Sequence, residues 1–185
     1  MKRLFSAVLL LLVCATGARA LEVEGVALAP TVTVQGQALQ LNGYGIREKF
    51  FFDIYIGSLY TARPVTDTAE ALAAPGARLI RMNFLYRKVD REKIVAAFAE
   101  GIEKNSPQLA DSAAVRDFLG WFRHDFVRGD VVDLELDADG TVVARQNGTR
   151  LGSRVSEDLA RGVLLIYLGS EPADADLKVG MLGGG

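Results

Sequence analysis

The fold is decided by residues 41–60, which read LNGYGIREKFFFDIYIGSLY. The second half of this stretch, from Phe50 to Tyr60, is rich in aromatic and β-branched residues and predicts a strand. Gly43 and Gly45 in the first half predict a bend or bulge where the backbone passes close to another segment. A period of two divides the strand into one face with Phe50, Phe52, Ile54 and Ile56 and another with Phe51, Asp53 and Tyr55.

Further strands and helices are predicted on both sides of this stretch. Short alternations from Val23 to Gln40 indicate a first strand and a hairpin, and Leu79 to Tyr86 alternates again. Residues 130–136 and 141–146 alternate about a turn that contains Gly140, and Asn147-Gly148 predicts a second tight turn. Helices are predicted within 66–75, from Asp90 to Gly101 or Asn105, from Ser106 to Arg128 and from Ser156 to Leu168. The last three residues, all glycine, predict a frayed tail.

Because the strands fall in neighbouring runs and the helices are grouped, the sequence predicts an α+β fold. We expect a large antiparallel β-sheet covered on one face by a layer of helices. No linker, repeat or change of composition divides the chain, so residues 21–185 are predicted to form a single domain.

The first twenty residues predict a cleaved signal peptide. Lys2 and Arg3 precede an apolar run of about ten residues, and small residues precede a cut after Ala20. The run is shorter than the roughly twenty residues that span a bilayer, so we expect no integral membrane anchor. The expected location is periplasmic or secreted.

The charge and the cysteine content exclude several classes of function. Removing residues 1–20 takes three basic residues and no acidic one, which moves the formal net charge from −2 to −5. An acidic chain without a basic stretch argues against a nucleic-acid partner. Cys14 is the only cysteine, so the mature chain has no disulfide and no cysteine nucleophile.

The motifs predict neither a metal site nor a bound cofactor. His124 is the only histidine, and it is predicted on the polar side of a helix without a nucleophile motif nearby. Asp174 and Asp176 lack a third acidic partner at the spacing of a calcium loop. Gly43-Tyr44-Gly45 lacks the third glycine of a dinucleotide-binding loop.

Arg47 is the residue whose side chain most clearly suits a binding or catalytic role. It lies between the glycines and the aromatic strand, where it is able to place a permanent cation at the mouth of an apolar slot suited to a carboxylate or an enolate. The alternative is a rim arginine whose stem covers core residues while its head stays in water.

Residues 41–60 resemble the opening block of the chalcone isomerase-like family, in its exported bacterial branch. Further similar segments follow in order: 81–85, 89–94, 129–130, 140–141, 147–148, 151–152, 165–178 and 181–183. The resemblance covers nearly the whole mature chain. It implies a large antiparallel sheet backed by helices, an open-faced β-sandwich with the ligand cleft between the two layers.

The resemblance also implies two alternative functions. In plant chalcone isomerases an arginine steadies an enolate with help from threonine, tyrosine and asparagine. Arg47 matches the arginine, but the other positions fall near Ile54 or Tyr55, on Asp90 and on Ala97. The fatty-acid-binding relatives keep an arginine and a tyrosine for the carboxylate, and Arg47 with Tyr55 resembles that pair.

We therefore expect a protein that binds a fatty acid or similar small amphipathic acid. Arg47 is the expected anion anchor and Tyr55 the expected hydrogen-bond donor, with walls formed by Phe51, Phe84 and Phe98. The alternative is an intramolecular lyase or isomerase acting on an enone, with Tyr55 or Tyr86 replacing the missing donors.

Overall fold

The computed structural model describes residues 21–184, and its centre is a seven-stranded antiparallel sheet. The strands in chain order are β1 Leu21–Val23, β2 Val26–Leu28, β3 Thr31–Val34, β4 Gln37–Lys49, β5 Phe52–Thr61, β6 Arg78–Phe84, β7 Lys88–Val89, β8 Phe126–Val127, β9 Val131–Leu136, β10 Thr141–Gln146 and β11 Thr149–Val155. Across the sheet the order is β11-β10-β9-β6-β5-β4-β3, while β1-β2 and β7-β8 form separate two-stranded ribbons. The predicted antiparallel sheet is confirmed.

The helices are α1 Thr68–Ala73, α2 Arg91–Asn105, α3 Ala113–Trp121, α4 Glu157–Leu168 and α5 Ala175–Met181. The side chains of Asp67, Ser112, Ser156 and Asp174 each accept a hydrogen bond from a backbone N–H in the first turn of α1, α3, α4 and α5, respectively. In the described part of the chain, none of the helices is long and apolar enough to cross a bilayer.

One face of the sheet packs against the helices. Ile80, Met82 and Phe84 of β6 join the main core, together with buried residues from all five helices. The alternate residues point to the opposite face, where Arg81 makes a bidentate ion pair with Asp133 of β9. The helices therefore lie on a single face, as the sequence predicts.

The main core contains a chain of packed aromatic rings. Phe118 contacts Phe98, Trp121 and Phe122, with centroid distances of 5.5, 5.6 and 5.4 Å. Phe122 leads through Phe126 to Phe84, which stacks on Phe126 at 4.8 Å. Aromatic pairs at these separations add to the stability gained from apolar burial, and this chain of rings joins α2 and α3 to the sheet.

The close approach expected at Gly43 and Gly45 is confirmed, because α5 lies directly on β4. A Cβ added at Gly43 would overlap the carbonyl oxygen of Gly180, and one at Gly45 would lie 2.8 Å from the Cα of Leu177. Asn42 is the extra residue of a bulge in β4, and its side chain donates to Met181 O at 2.8 Å and to Val65 O at 3.0 Å.

Three details of the sequence prediction are wrong. The helix predicted from Ser106 to Arg128 is a short 3-10 turn, Pro107–Leu109, followed by α3, which ends at Trp121. Phe122 and Phe126 are buried as expected, but Phe122 is the C-terminal cap of α3 and Phe126 belongs to β8. His124 therefore lies in an exposed connection between them and not on a helix. Helix α5 was not predicted, and it holds Gly183 and Gly184 by backbone hydrogen bonds where a frayed tail was expected.

The third correction concerns Phe50 and Phe51, which were predicted to begin the strand. They form the two-residue turn between β4 and β5. Both have positive φ, 52° and 68°. Aromatic residues favour strands, but here the hairpin connection overrides that preference. The predicted signal peptide, residues 1–20, lies outside the described residues and stays a prediction.

Candidate functional site

The β4–β5 hairpin brings Arg47 beside Tyr55, its cross-strand partner. The register shifts between Arg47 and Glu48, and Ile54 is left without a partner on β4. Such a bulge re-aims the side chains next to it. As a result Ile54 packs against the main core on the helix side, next to Tyr55 and Arg47.

A cleft of about 370 Å³ lies between this end of the hairpin and the first turns of α2. This volume falls within the range of small-molecule sites. Its lining residues are Arg47, Lys49, Phe50, Phe52, Ile54, Tyr86, Lys88, Val89, Lys93, Ile94 and Ala97. Four of these residues are cationic and none is acidic, while most of the remainder present hydrocarbon or aromatic rings. The cleft therefore suits a ligand with an apolar body and a negative group.

Arg47 is half-buried on the wall of this cleft. Its Nη1 donates a long hydrogen bond of 3.5 Å to the Tyr55 hydroxyl, and its Cζ lies 5.8 Å from the centroid of the Tyr55 ring. Within residues 21–184, no carboxylate lies within ion-pair distance of this guanidinium. A half-buried cation that has only a phenol as partner keeps donors available for an incoming anion.

Two of the lysines around the cleft are already paired. Lys88 Nζ lies 2.8 Å from Asp125 and 3.7 Å from Asp90, and Lys93 Nζ lies 3.1 Å from Asp90. These pairs are exposed and contribute little to stability. Lys49 is exposed beside the Phe50 ring, so the half-buried Arg47 is the cation of the cleft that is best placed to bind an anion directly.

A second depression of about 240 Å³ lies on the other side of Arg47, between β4, α2 and the segment before α5. Glu48, Glu100 and Glu171 line it, and Glu100 pairs with Lys104 at 2.7 Å. Carboxylates on the wall repel an anionic ligand, so the cleft and not this depression is the better acid site.

Tyr55 and Tyr167 form a buried layer behind Arg47. Tyr55 is buried against Phe84, and the Tyr167 hydroxyl lies 3.1 Å from the sulfur of Met82. Burial raises the pKa of Tyr55, although the Arg47 guanidinium opposes the shift. Burial and the neighbouring Tyr55 raise the pKa of Tyr167 well above its usual value. Both hydroxyls therefore stay protonated near neutral pH, and that of Tyr55 positions Arg47 without adding charge.

These two pKa shifts predict an alkaline loss of stability. Because both pKa values are raised in the folded state, their contribution is complete below a pH of about 10, where an unfolded tyrosine ionises, and is lost as the pH rises further. We expect Tyr167→Phe to reduce the slope of unfolding free energy against pH between about 10 and 11. Urea unfolding at several pH values measures that slope, and equal slopes for variant and wild type would contradict the assignment.

The structure separates the five residues that the sequence proposed for the site. It places Arg47 on the cleft wall and Tyr55 directly behind it. Phe51 is fully exposed at the tip of the turn, outside the lining. Phe84 and Phe98 are buried in the aromatic core and do not reach the cleft either. Phe51, Phe84 and Phe98 therefore do not line this cleft: Phe51 is exposed in the turn, and Phe84 and Phe98 pack inside the main core.

The actual wall includes residues that were not proposed for the ligand site from the sequence. Phe50 and Phe52 flank Phe51, and Phe52 packs edge-on against Tyr86 at 5.3 Å. Ile94 and Ala97 belong to α2, and Lys88 and Val89 form β7. The apolar stripe of α2 was visible in the sequence, but periodicity alone does not place that stripe opposite Arg47, and only the family resemblance pointed to Ala97.

The profile of the chalcone isomerase-like family matches residues 20–183. The chain belongs to the chalcone isomerase-like family. A curated relative is "Fatty-acid-binding protein 1" of Arabidopsis thaliana, 22% identical over 174 residues that cover 77% of this chain. The match spans 62% of the length of that relative.

Among solved structures, a crystal structure of the Arabidopsis thaliana fatty-acid binding protein AtFAP1 has the same fold. It superposes with a TM-score of 0.70 at 18% sequence identity, covering 88% of this chain and 95% of that chain. At this identity the likeness shows the chalcone isomerase-like fold alone. It confirms the architecture that the sequence predicts.

Within this family fold, the sequence resemblance places the catalytic donors near Ile54 or Tyr55, on Asp90 and on Ala97. Ile54 and Ala97 both line the cleft. Asp90, at a third such position, is engaged by Lys88 and Lys93. Neither Ile54 nor Ala97 has a side chain that can donate a hydrogen bond to a negative charge developing beside Arg47.

Proposed function

We propose that this member of the chalcone isomerase-like family binds a fatty acid or a similar small amphipathic acid in the cleft. The carboxylate would accept hydrogen bonds from Arg47, and the acyl chain would lie along Ile54, Val89, Ile94 and Ala97. The observation that carries the proposal is a half-buried guanidinium without a carboxylate partner among the described residues, on the wall of an apolar cleft.

A bound acid would compensate Arg47 for the hydration that its guanidinium loses in the cleft wall. A guanidinium that has lost part of its hydration is stabilised by an anion that can accept several of its N–H groups. An acyl chain that leaves water for the apolar wall contributes about 0.8 kcal/mol for each buried CH₂ group. The names of the Arabidopsis relatives, which are called fatty-acid-binding, support the same ligand class.

Tyr55 has a supporting part in this proposal. Its hydroxyl is buried and accepts from Arg47, so it holds the guanidinium in place and does not contact the ligand directly. This differs from the expectation that Tyr55 donates to the carboxylate. Tyr86, which lies on the wall, is the phenol closest to where a ligand would sit.

Calorimetric titration with laurate, myristate and palmitate tests the proposal. We expect Arg47→Ala to weaken binding roughly 10- to 100-fold, because a hydrogen bond to a charged group contributes about 1.5–3 kcal/mol. Arg47→Lys should give an intermediate affinity, since it keeps the charge but loses the planar fork.

Two controls make the result specific. Arg63→Ala removes an exposed arginine away from the cleft and should leave the affinity unchanged. Dodecanol has the chain of laurate without its charge and should bind wild type more weakly than laurate does. Equal affinities of wild type and Arg47→Ala for laurate would remove Arg47 as the anchor.

A further inference from the structure

The turn between β4 and β5 exposes three consecutive phenylalanines, which we call the aromatic tip. Phe50, Phe51 and Phe52 are 80%, 101% and 53% exposed. The other large exposed hydrophobic residues of the described chain are single aliphatic side chains such as Val155 and Val179. Scattered exposed aliphatic residues are ordinary, but a contiguous aromatic cluster indicates an interaction surface.

The backbone of the tip is strained in a way that the other turns of this chain avoid. Four two-residue turns in residues 21–184 have positive φ at both positions. In three of them the second residue is glycine: Glu24-Gly25, Gln35-Gly36 and Asn147-Gly148. In the fourth it is Phe51, and a bulky residue is costly in this conformation. A glycine at position 51 would relieve this backbone strain, so the presence of phenylalanine indicates that its side chain has a function.

Positive charge surrounds the aromatic tip on the side of the cleft. Lys49 lies with its Nζ 5.9 Å from the Phe50 ring, and Arg47, Lys88 and Lys93 line the same cleft as Phe50 and Phe52. Glu48 and Asp53 are cross-strand partners one residue farther along the hairpin, and neither is among the cleft-lining residues. Asp90 and Asp125 offset part of the charge of Lys88 and Lys93.

We propose that the aromatic tip inserts into the surface of an anionic lipid bilayer, with the lysines beside it contacting the headgroups. A protruding pair of phenylalanine rings fits a deformable apolar layer, and basic residues next to an apolar insertion are typical of interfacial binding. Phe50 and Phe52 belong to both the tip and the cleft wall. Docking would therefore place the cleft mouth at the boundary between headgroups and acyl chains. This proposal does not depend on which ligand the cleft binds.

The test uses a tryptophan at the tip as a depth reporter. Phe51→Trp is mixed with vesicles of equal phosphatidylglycerol and phosphatidylcholine that carry brominated acyl chains. We expect its emission to shift to shorter wavelength and to be quenched by bromine. Wild type is the matched control, because its sole tryptophan, Trp121, packs in α3 against Gly152 and should not be quenched. Emission from Phe51→Trp that is quenched no more than that of wild type would overturn the proposal.

A turn replacement separates loss of binding from loss of folding. Replacing Phe50-Phe51 with Asn-Gly reproduces the turn already present at Asn147-Gly148. We expect this variant to have a higher urea midpoint and at least tenfold weaker partition onto the vesicles, since burial of each phenylalanine favours the bilayer. Partition equal to that of wild type would contradict the insertion of the tip.

The charge contribution is measured with Lys49→Ala. A lysine near an anionic surface contributes roughly a fivefold gain in partition, so the variant should bind phosphatidylglycerol vesicles that much less. Val155→Ser, which removes a side chain 70% exposed on the edge strand β11, should bind like wild type. Equal binding of Lys49→Ala and wild type at low salt would overturn the headgroup contact.

Discussion

Replacing Phe118 with alanine is expected to lower the free energy of unfolding by about 4 kcal/mol. Phe118 is completely buried in α3, and its ring contacts Phe98, Trp121 and Phe122. The substitution removes apolar burial and leaves a cavity between two helices that close packing cannot easily refill. Urea unfolding followed by circular dichroism measures the change.

Phe51→Ala is the matched control for this substitution. It deletes the same atoms from a side chain that is fully exposed, so the free energy of unfolding should change by less than about 0.5 kcal/mol. A Phe118→Ala variant as stable as Phe51→Ala would show that the aromatic chain does not hold α3 in place. Because Phe98 belongs to α2, losing its contact with Phe118 should also loosen the part of α2 that forms the cleft wall, at Ile94 and Ala97.

The second large effect is expected from Gly43→Ala, which should cost about 3 kcal/mol. The added Cβ would overlap Gly180 O and would lie 2.8 Å from Gly183 N and Met181 O. These are backbone atoms, which cannot move aside as a flexible side chain does. Helix α5 must then lift from β4, and the hydrogen bond from Asn42 to Met181 is lost with it.

Gly120→Ala is the control for the glycine substitution. Gly120 lies in α3 with open space where a Cβ would go, so alanine should stabilise the helix by about 0.5–1 kcal/mol. The two substitutions are therefore expected to change the free energy of unfolding in opposite directions. Unfolding in urea, together with hydrogen exchange of the α5 amides, tests this. An undiminished free energy of unfolding for Gly43→Ala would contradict the close contact.

Turn and cap chemistry made much of the fold predictable from the sequence. Gly140 and Asn147-Gly148 fixed the two turns that join β9, β10 and β11, and Ser156 and Gly169 marked the ends of α4. Gly43 and Gly45 indicated a close approach, although not which segment approaches. These signals are local, since each depends on a backbone conformation or a cap that a few residues specify.

The errors arose where tertiary packing decides the local structure. The apolar spacing of α3 continues to Phe122 and Phe126, so periodicity alone cannot show that the chain leaves the helix after Trp121. A run of three phenylalanines is typical of a strand, yet the first two of them form a turn here. Asp174 could have indicated α5 as a cap, but a seven-residue helix gives too short a pattern to recognise.

The same reasons explain what was predictable of the candidate site. Arg47 was identified because a permanent cation beside glycines and aromatic residues is unusual, and the structure places it on a cleft. Phe51 is absent from the wall because the turn at Phe50-Phe51 and the bulge at Ile54 alter the alternation that a regular strand would have, whereas Phe84 and Phe98 pack inside the core. The α2 side of the cleft depends on contacts between distant segments, which periodicity does not specify.

The contact between α5 and β4 also bears on how the chain folds as it is made. The hydrogen bond from Asn42 to Met181 joins residues 139 positions apart. Strand β4 leaves the ribosome long before α5 does, so its glycine surface stays uncovered during most of synthesis. Contacts of such long range slow folding, and the growing chain would be open to aggregation or chaperone binding at this strand until α5 emerges.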